Sequence, residues 1–512
     1  MVETVKKTAR PLTGKEYLES LRDSREIWFH GEKVEDVTTH PAFRNSARSI
    51  ARLYDALHDE KTKGILTRET DTGSGGYTHK YFVVSRTTED LVEARDAIVE
   101  WAKLTYGQMG RTPDYKASFI TTLGSNPDFY GEYADNARRW YKEVQENCYF
   151  LNHAIINPPV DRHKPVEAVK DIFIRVEEET EEGLIVSGAK MVATSSALTN
   201  YNFVAPANPV SSEDMALVFI CPMNIPGVKL VSRASYEMNA AVMGSPFDYP
   251  LSSRFDENDA VLVFERALIP WEGILVYKDI QKANFFFIAN HWANLFTFHG
   301  TTRLAVKFDF ITGLLHKAVK TSGVDQFRGV QANIGEVVAW RNLFWGISDA
   351  MALNPQPGHN GAVVPNLDYG MTYRIMMSKA WLRMKEIIED LVAGNLIVQP
   401  SSAKDFKNPE LRPTLDKLYR GSNGITSVEK IKLIKLLWEV IGTEYGGRHE
   451  LYELNYSGSS DRVRTEALDY SRMKGDISKF EVFVEECMDD YDLDGWKNDT
   501  WINPDDVHYF KK

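Results

Sequence analysis

Arg111 and Tyr115 stand four positions apart in GQMGRTPDYKASF, residues 107 to 119, astride a helix start. Thr112 suits an N-cap, Pro113 the first helical position, and Asp114 the positive end of the helix dipole. The pattern predicts a helix opening at Pro113, with Tyr115 in its first turn and Arg111 just before the cap. A guanidinium, a phenol hydroxyl and free backbone N–H groups would then converge on one oxygen-rich group. A solvated arginine and a core-packed tyrosine would show the same spacing, so binding and structure both stay open here.

Other stretches imitate chemistry and fall short of it. DDYDLDGWKNDTW puts Asp490, Asp492, Asp494 and Gly495 where a calcium loop would have them, but Trp501 takes the place of the bidentate glutamate. GSGGY at Gly73 lacks phosphate-loop spacing, HELYE at His449 is not a zinc-protease helix, and no GxSxG elbow occurs. The cysteines, Cys148, Cys221 and Cys487, lie far apart in apolar or acidic settings that do not favour a thiolate.

The elements that must position these residues change texture twice. From about residue 15 to 148, apolar positions recur at three and four, as in DLVEARDAIVEWAKLTYG, with DTGSGGYTHKYFVV as a turn or short hairpin. From about 150 to 277, β-branched segments such as GLIVSGAKMVAT, MALVFICPM and DAVLVFERALIP alternate with turn signals. Beyond 280 come four long apolar-faced helices, the last opening on a capping box from Thr426 to Glu429. The expected organisation is an α-helical domain over 1–148, a β domain over 149–277 and a four-helix bundle with an acidic tail over 278–512.

A chain of 512 residues can hold two or three such domains. Its formal charge of −12, without a dense basic block, argues against nucleic acid or an anionic membrane as partner. Sparse cysteines, an N-terminus without an apolar signal core, and no long apolar run lead to the expectation of a cytoplasmic protein.

GRTPDY, LNHAIINPPVDR at 151–162, GAKMVAT at 188–194, GSPFDYPLSSRFDEND at 244–259 and GTEYGGRHELYE at 442–453 occur in that order. Together they resemble the 4-hydroxyphenylacetate 3-monooxygenase family, and within it the large oxygenase component of two-component phenol hydroxylases. The resemblance implies an α+β, acyl-CoA dehydrogenase-like fold: an N-terminal helical domain, a middle β-barrel and a C-terminal four-helix bundle, assembled as a homotetramer. It also implies a reaction: reduced FAD from a separate NAD(P)H:flavin reductase reacts with O2 to give a C4a-hydroperoxide, which hydroxylates a phenol ortho to its OH. Drawing the phenol proton away raises the ring's nucleophilicity, and excluding water protects the oxidant.

Site residues follow from the same resemblance. Arg111 and Tyr115 match substrate and oxidant contacts, and His153 matches the histidine that hydrogen-bonds the phenol oxygen; His291, in ANHWANLF, is a second candidate base. For FAD the resemblance implicates His153, Ala154, Ile155, Arg162, Ala193 and Thr194. It adds Gly446 and Gly447 in a turn after the last bundle helix, with Arg448 pairing a phosphate.

One departure bears on the substrate. Where hydroxyphenylacetate enzymes have a Ser-Thr pair after a proline to hold the carboxylate, this chain reads Pro206, Ala207, Asn208. The expected substrate is therefore phenol or a simple para-substituted phenol, with a hydroxyphenylacetate hydroxylase or a dehalogenating or denitrating monooxygenase as alternatives. An acyl-CoA dehydrogenase-like oxidoreductase would need a carboxylate base in the bundle. An iron–sulfur dehydratase would need clustered cysteines, which are lacking.

Overall fold

The computed structural model describes residues 9–493 and 495–497. The calcium-like stretch therefore lies partly outside the described residues, at Asp494 and Trp501, as do the first eight residues and the end of the acidic tail.

Alternation appears early, inside the stretch whose sequence reads as helical. Ile27 and Phe29 are buried while Trp28 faces out, so Glu26–Phe29 (β1) turns back through Glu32–Lys33 (β2) as a hairpin. Helices follow: Arg44–Ala56 (α1), Thr88–Leu104 (α2), Pro113–Ser125 (α3) and Ala134–Asn147 (α4). The hairpin expected in DTGSGGYTHKYFVV forms between Thr67–Glu69 and Tyr77–His79, with Gly73 and Gly75 at positive φ.

Seven further strands make the middle unit: Arg175–Glu179 (β3), Gly183–Lys190 (β4), Tyr201–Val204 (β5), Leu217–Pro222 (β6), Val228–Ser232 (β7), Ala260–Pro270 (β8) and Ile274–Tyr277 (β9). One sheet runs β2-β1-β7-β8-β4-β3, a second β9-β6-β5. The early hairpin thus extends the first sheet, with β1 parallel to β7 and Ile27 opposite Leu230. β8 pairs antiparallel with β4, and its register shifts between Phe264 and Ala267, where Arg266 has φ 49°.

The C-terminal helices are Trp292–Ser322 (α5), Arg328–Leu353 (α6), Leu367–Ile397 (α7), Ser427–Ile441 (α8) and Glu444–Asn455 (α9). From Asn294 to Phe308 every side chain of α5 is buried, because it runs between α2 and α3 on one side and α6, α7 and α8 on the other. The Thr426–Glu429 capping box forms as its sequence dictates. Gly446 and Gly447 do not form a turn after the bundle; they lie in the first turn of α9, capped by Thr443. Gly446 is needed there because a Cβ would stand 2.9 Å from the Ile441 carbonyl carbon at the end of α8.

The loop from α2 to α3 is pinned to α5 at Gly107, whose φ is +68° and whose Cβ would stand 2.7 Å from the Lys307 backbone nitrogen. Gly107→Ala combines left-handed strain with a backbone collision and should cost about 2 kcal/mol or more. A fall in thermal unfolding midpoint, with loss of whatever Arg111 does four residues on, checks this.

Candidate active site

Helix α3 begins where the sequence places it, with Thr112 extended at the cap. Its hydroxyl does not cap, however; it donates to Asp114 Oδ1 at 2.5 Å. Asp114 also faces His299 Nε2 of α5 at 3.1 Å, both side chains being buried. Burial opposes the carboxylate's charge, but His299 and Thr112 prevail and hold it below the usual range. The first turn of α3 is therefore clamped to the central bundle helix.

That clamp sets Arg111 and Tyr115. The Arg111 guanidinium lies 4.1 Å over the Tyr115 ring, 4.6 Å over Tyr456 and 5.2 Å over Tyr452. Its backbone N–H donates to Glu257 Oε1 at 2.5 Å. Burial works against the cation, yet the tyrosines and Glu257 keep it charged. Nη1 is buried and has no hydrogen-bond partner among the described residues, a donor fit for a ligand oxygen.

His153 approaches from the segment between α4 and β3. Asn152 and Ala154 donate their N–H groups to the carbonyls of Tyr201 and Phe203 at 3.0 and 2.8 Å, so this segment lies parallel to β5. Five rings close a circuit there: His153 to Tyr115 at 5.4 Å, Tyr115 to Tyr456 at 6.3 Å, Tyr456 to Phe296 at 6.0 Å, Phe296 to Trp292 at 4.5 Å and Trp292 to His153 at 6.5 Å. Arg111 rests against two of these rings. On its other side His153 Nδ1 meets Lys116 Nζ at 2.5 Å. Burial, then Lys116 and Arg111, push the imidazole well below its ordinary range, so it is neutral near pH 7. A neutral histidine beside an arginine, walled by aromatics, can draw a proton from an acidic hydroxyl and hold the resulting anion.

Not every expected residue joins this box. His291 sits at φ 56° before α5 with its ring 4.8 Å from His359, and it is the next residue, Trp292, that reaches His153. The structure thus turns His291 away from the cluster, because the left-handed residue before the helix points its side chain at the 359 loop. Arg448, expected to pair a phosphate, is committed to Glu257 at 3.1 Å and Asp259 at 3.0 Å. Those buried acids outcompete a distant anion for the guanidinium. Thr194 donates to the same Asp259 at 2.7 Å, beside buried Ala193. Arg162 is exposed. The Ala207 N–H donates to the Ile155 carbonyl at 3.3 Å, and Asn208 is exposed. Pro206 lines, with Asn157 and Lys190, a cavity of about 10 Å³, room for a single water. Lys190 is not free to meet an anion there, since it donates to Asn157 Oδ1 at 2.7 Å and to the Ile155 carbonyl.

Sequence reasoning missed Lys116, Trp292, Phe296, His299, Tyr452, Tyr456 and Glu257. Tyr445, His449, Tyr452 and Tyr456 recur at four, three and four, a helical stripe visible in EYGGRHELYELNY. Nothing local marks Lys116 or His299. SPFDYPLSSRFDEND turns out to be a clasp: Glu439 accepts from the Leu251 N–H, Asp256 binds Arg233, and Glu257 joins Arg111 to Arg448.

Helices flanking a two-sheet β unit, with the box where all three meet, constitute the acyl-CoA dehydrogenase-like fold. The chain belongs to the 4-hydroxyphenylacetate 3-hydroxylase family, whose N-terminal model matches residues 13–276 and whose C-terminal model matches 283–485. It is 55% identical over 498 residues, 97% of this chain and 96% of the relative, to the oxygenase component of 4-nitrophenol 2-monooxygenase of Rhodococcus sp. It is also 55% identical over 502 residues, 98% of this chain and 96% of the relative, to the 4-hydroxyphenylacetate 3-monooxygenase oxygenase component of Pseudomonas aeruginosa. A crystal structure of an oxygenase component of 4-hydroxyphenylacetate 3-monooxygenase complexed with FAD superposes with TM-score 0.87 at 31% identity, covering 93% of this chain and 99% of that one. The chain is an enzyme, the oxygenase component of an aromatic monooxygenase. No helix among the described residues is long and apolar enough to cross a membrane.

Proposed function

We propose that the box takes a phenol with a small, uncharged para substituent and positions it for ortho-hydroxylation to a catechol, with FAD as cofactor and O2 as co-substrate. The observation that carries this reading is the unpartnered Arg111 Nη1 beside neutral His153 within the ring circuit. When bound, reduced FAD supplies the activated oxygen. His153 draws the phenol proton, Arg111 steadies the phenolate oxygen, and Tyr115, Trp292, Phe296 and Tyr456 keep water from the reacting atoms.

The residues present fit a flat ring cofactor at one end. Ile156, bridged to Met191, and the adjoining Val192 are 44% and 54% exposed next to the His153 segment, and a tricyclic aromatic would cover both. Backbone at Ala154, Ile155, Ala193 and Thr194 borders that surface. At the phosphate end Arg448 does not fit, and Arg162 is the better candidate, being exposed at the end of the same segment. A separate flavin reductase supplies the reduced cofactor. Homotetramer assembly is supported by the exposed apolar side chains of Phe480, Phe483, Val484 and Met488 on the helix Asp476–Asp489, which suit a neighbouring subunit.

The preference against a carboxylate-bearing substrate rests on the sequence alone, Pro206, Ala207 and Asn208 supplying no hydroxyl pair. With reductase, FAD and NADH, phenol, 4-nitrophenol and 4-chlorophenol should each show kcat/KM about tenfold or more above that of 4-hydroxyphenylacetate, the worth of a lost charge-assisted hydrogen bond. Equal or faster turnover of 4-hydroxyphenylacetate would overturn the preference.

A further inference from the structure

Lys116 follows Tyr115 on α3, and its ammonium or amine is the partner of His153 Nδ1. It is only 3% exposed, and it hydrogen-bonds that histidine, with the Tyr115 ring 4.9 Å away. A lysine buried this deeply normally meets a carboxylate. Here the nearby charges are Arg111, which repels a cation, and Glu257, which is already bound by the Arg111 backbone and by Arg448. The groups acting on His153 in turn are Lys116 and Arg111, both basic.

Resting on the proposed phenol site, we infer that Lys116 and His153 work as one base, Lys116 being the place where the phenol proton comes to rest. In the resting pair His153 Nδ1–H donates to a neutral Lys116 amine, leaving Nε2 unprotonated toward the box. When the phenol O–H bond breaks, its proton passes to His153 Nε2 and the Nδ1 proton passes to Lys116 Nζ. The imidazole ends neutral in its other tautomer, Lys116 ends as ammonium donating to Nδ1, and the phenolate oxygen faces Arg111. Net charge in the site is unchanged, and no co-reactant is needed. The pair resets when that proton goes to the second oxygen atom of O2, which leaves as water. Burial first, then Arg111, disfavours the Lys116 ammonium before the phenol ionises, and the phenolate supplies the missing counter-charge afterwards.

The alternative is a permanently charged Lys116 that only fixes the tautomer of His153. Proton stoichiometry separates the two. With reduced FAD bound under nitrogen, 4-nitrophenol is added one pH unit below its own pKa, and its visible phenolate band is read alongside calorimetry in buffers of different ionisation enthalpy. The expected result is a phenolate band with no net proton release, since the proton stays on the protein. A phenolate band with release of about one proton per site would overturn the relay, and so would a bound probe that stays neutral. Lys116→Met should raise the apparent pKa of the bound probe about tenfold in proton affinity, and an unchanged value would also overturn the proposal. Failure of the probe to bind at all would instead sink the phenol-site reading, and the relay with it. The wild-type stoichiometry stands even if the variant folds poorly.

Discussion

His153→Ala will lower catechol formation about 100-fold, the usual worth of a positioned general base. Oxygen consumption by reduced flavin will continue, with hydrogen peroxide released in place of hydroxylated product. The reason is geometric: on the proposed mechanism the neutral His153 in the ring circuit is the base, and Arg111 can steady an anion but cannot take a proton. Removing the imidazole also strips Lys116 of its hydrogen-bond partner. The ratio of catechol to peroxide per NADH oxidised, measured with the reductase present, checks the prediction; unchanged coupling would remove His153 from the chemistry. His291→Ala should keep the wild-type ratio, because His291 faces His359 and not the box.

The largest stability effect is expected at Glu453. Its carboxylate, fully buried in α9, accepts from Arg303 at 2.5 and 2.8 Å and from Lys307 at 2.9 Å. Arg303 also donates to the Gly107 carbonyl at 3.3 Å, so this network carries the loop that leads to Arg111. Glu453→Ala leaves two basic groups buried without their anion and should cost about 3–5 kcal/mol. Lys307 can relieve part of that by deprotonating, since burial has already lowered it to about 8 against the pull of Glu453, whereas Arg303 cannot. Urea unfolding checks the loss, and a change below about 1 kcal/mol would contradict it. The sign with pH follows from the cations. They hold the Glu453 carboxyl below its ordinary value despite burial, so its contribution is complete above about pH 4.3 and is lost as pH falls through the depressed folded value. Glu453→Gln should flatten that acid limb.

Much of this architecture was legible along the chain. The helix start at Pro113, the capping box at Thr426, and the strands through GLIVSGAK and AVLVFERALIP are set by neighbours two to four residues apart. Such neighbours are fixed by the sequence itself. The β1 strand was harder to see, because four residues of alternation carry little signal until Ile27 and Phe29 find a sheet to be buried against. The ordered motifs placed the chain in its family and named Arg111, Tyr115 and His153, which the folded chain brings together.

Roles that depend on a distant partner were decided only by tertiary structure. Asp114 looked like a helix-dipole anion and is a clamp on His299, 185 positions away. Arg448 looked like a phosphate ligand and is held by Glu257 and Asp259, 191 and 189 positions back. Lys116 had no mark in the sequence, and its contact with His153 arises because α3 and the segment beside β5 meet under α5. Charge type and helical period are properties of single residues and close neighbours. Which charges lose their water together, and so must answer one another, is a property of the packed chain.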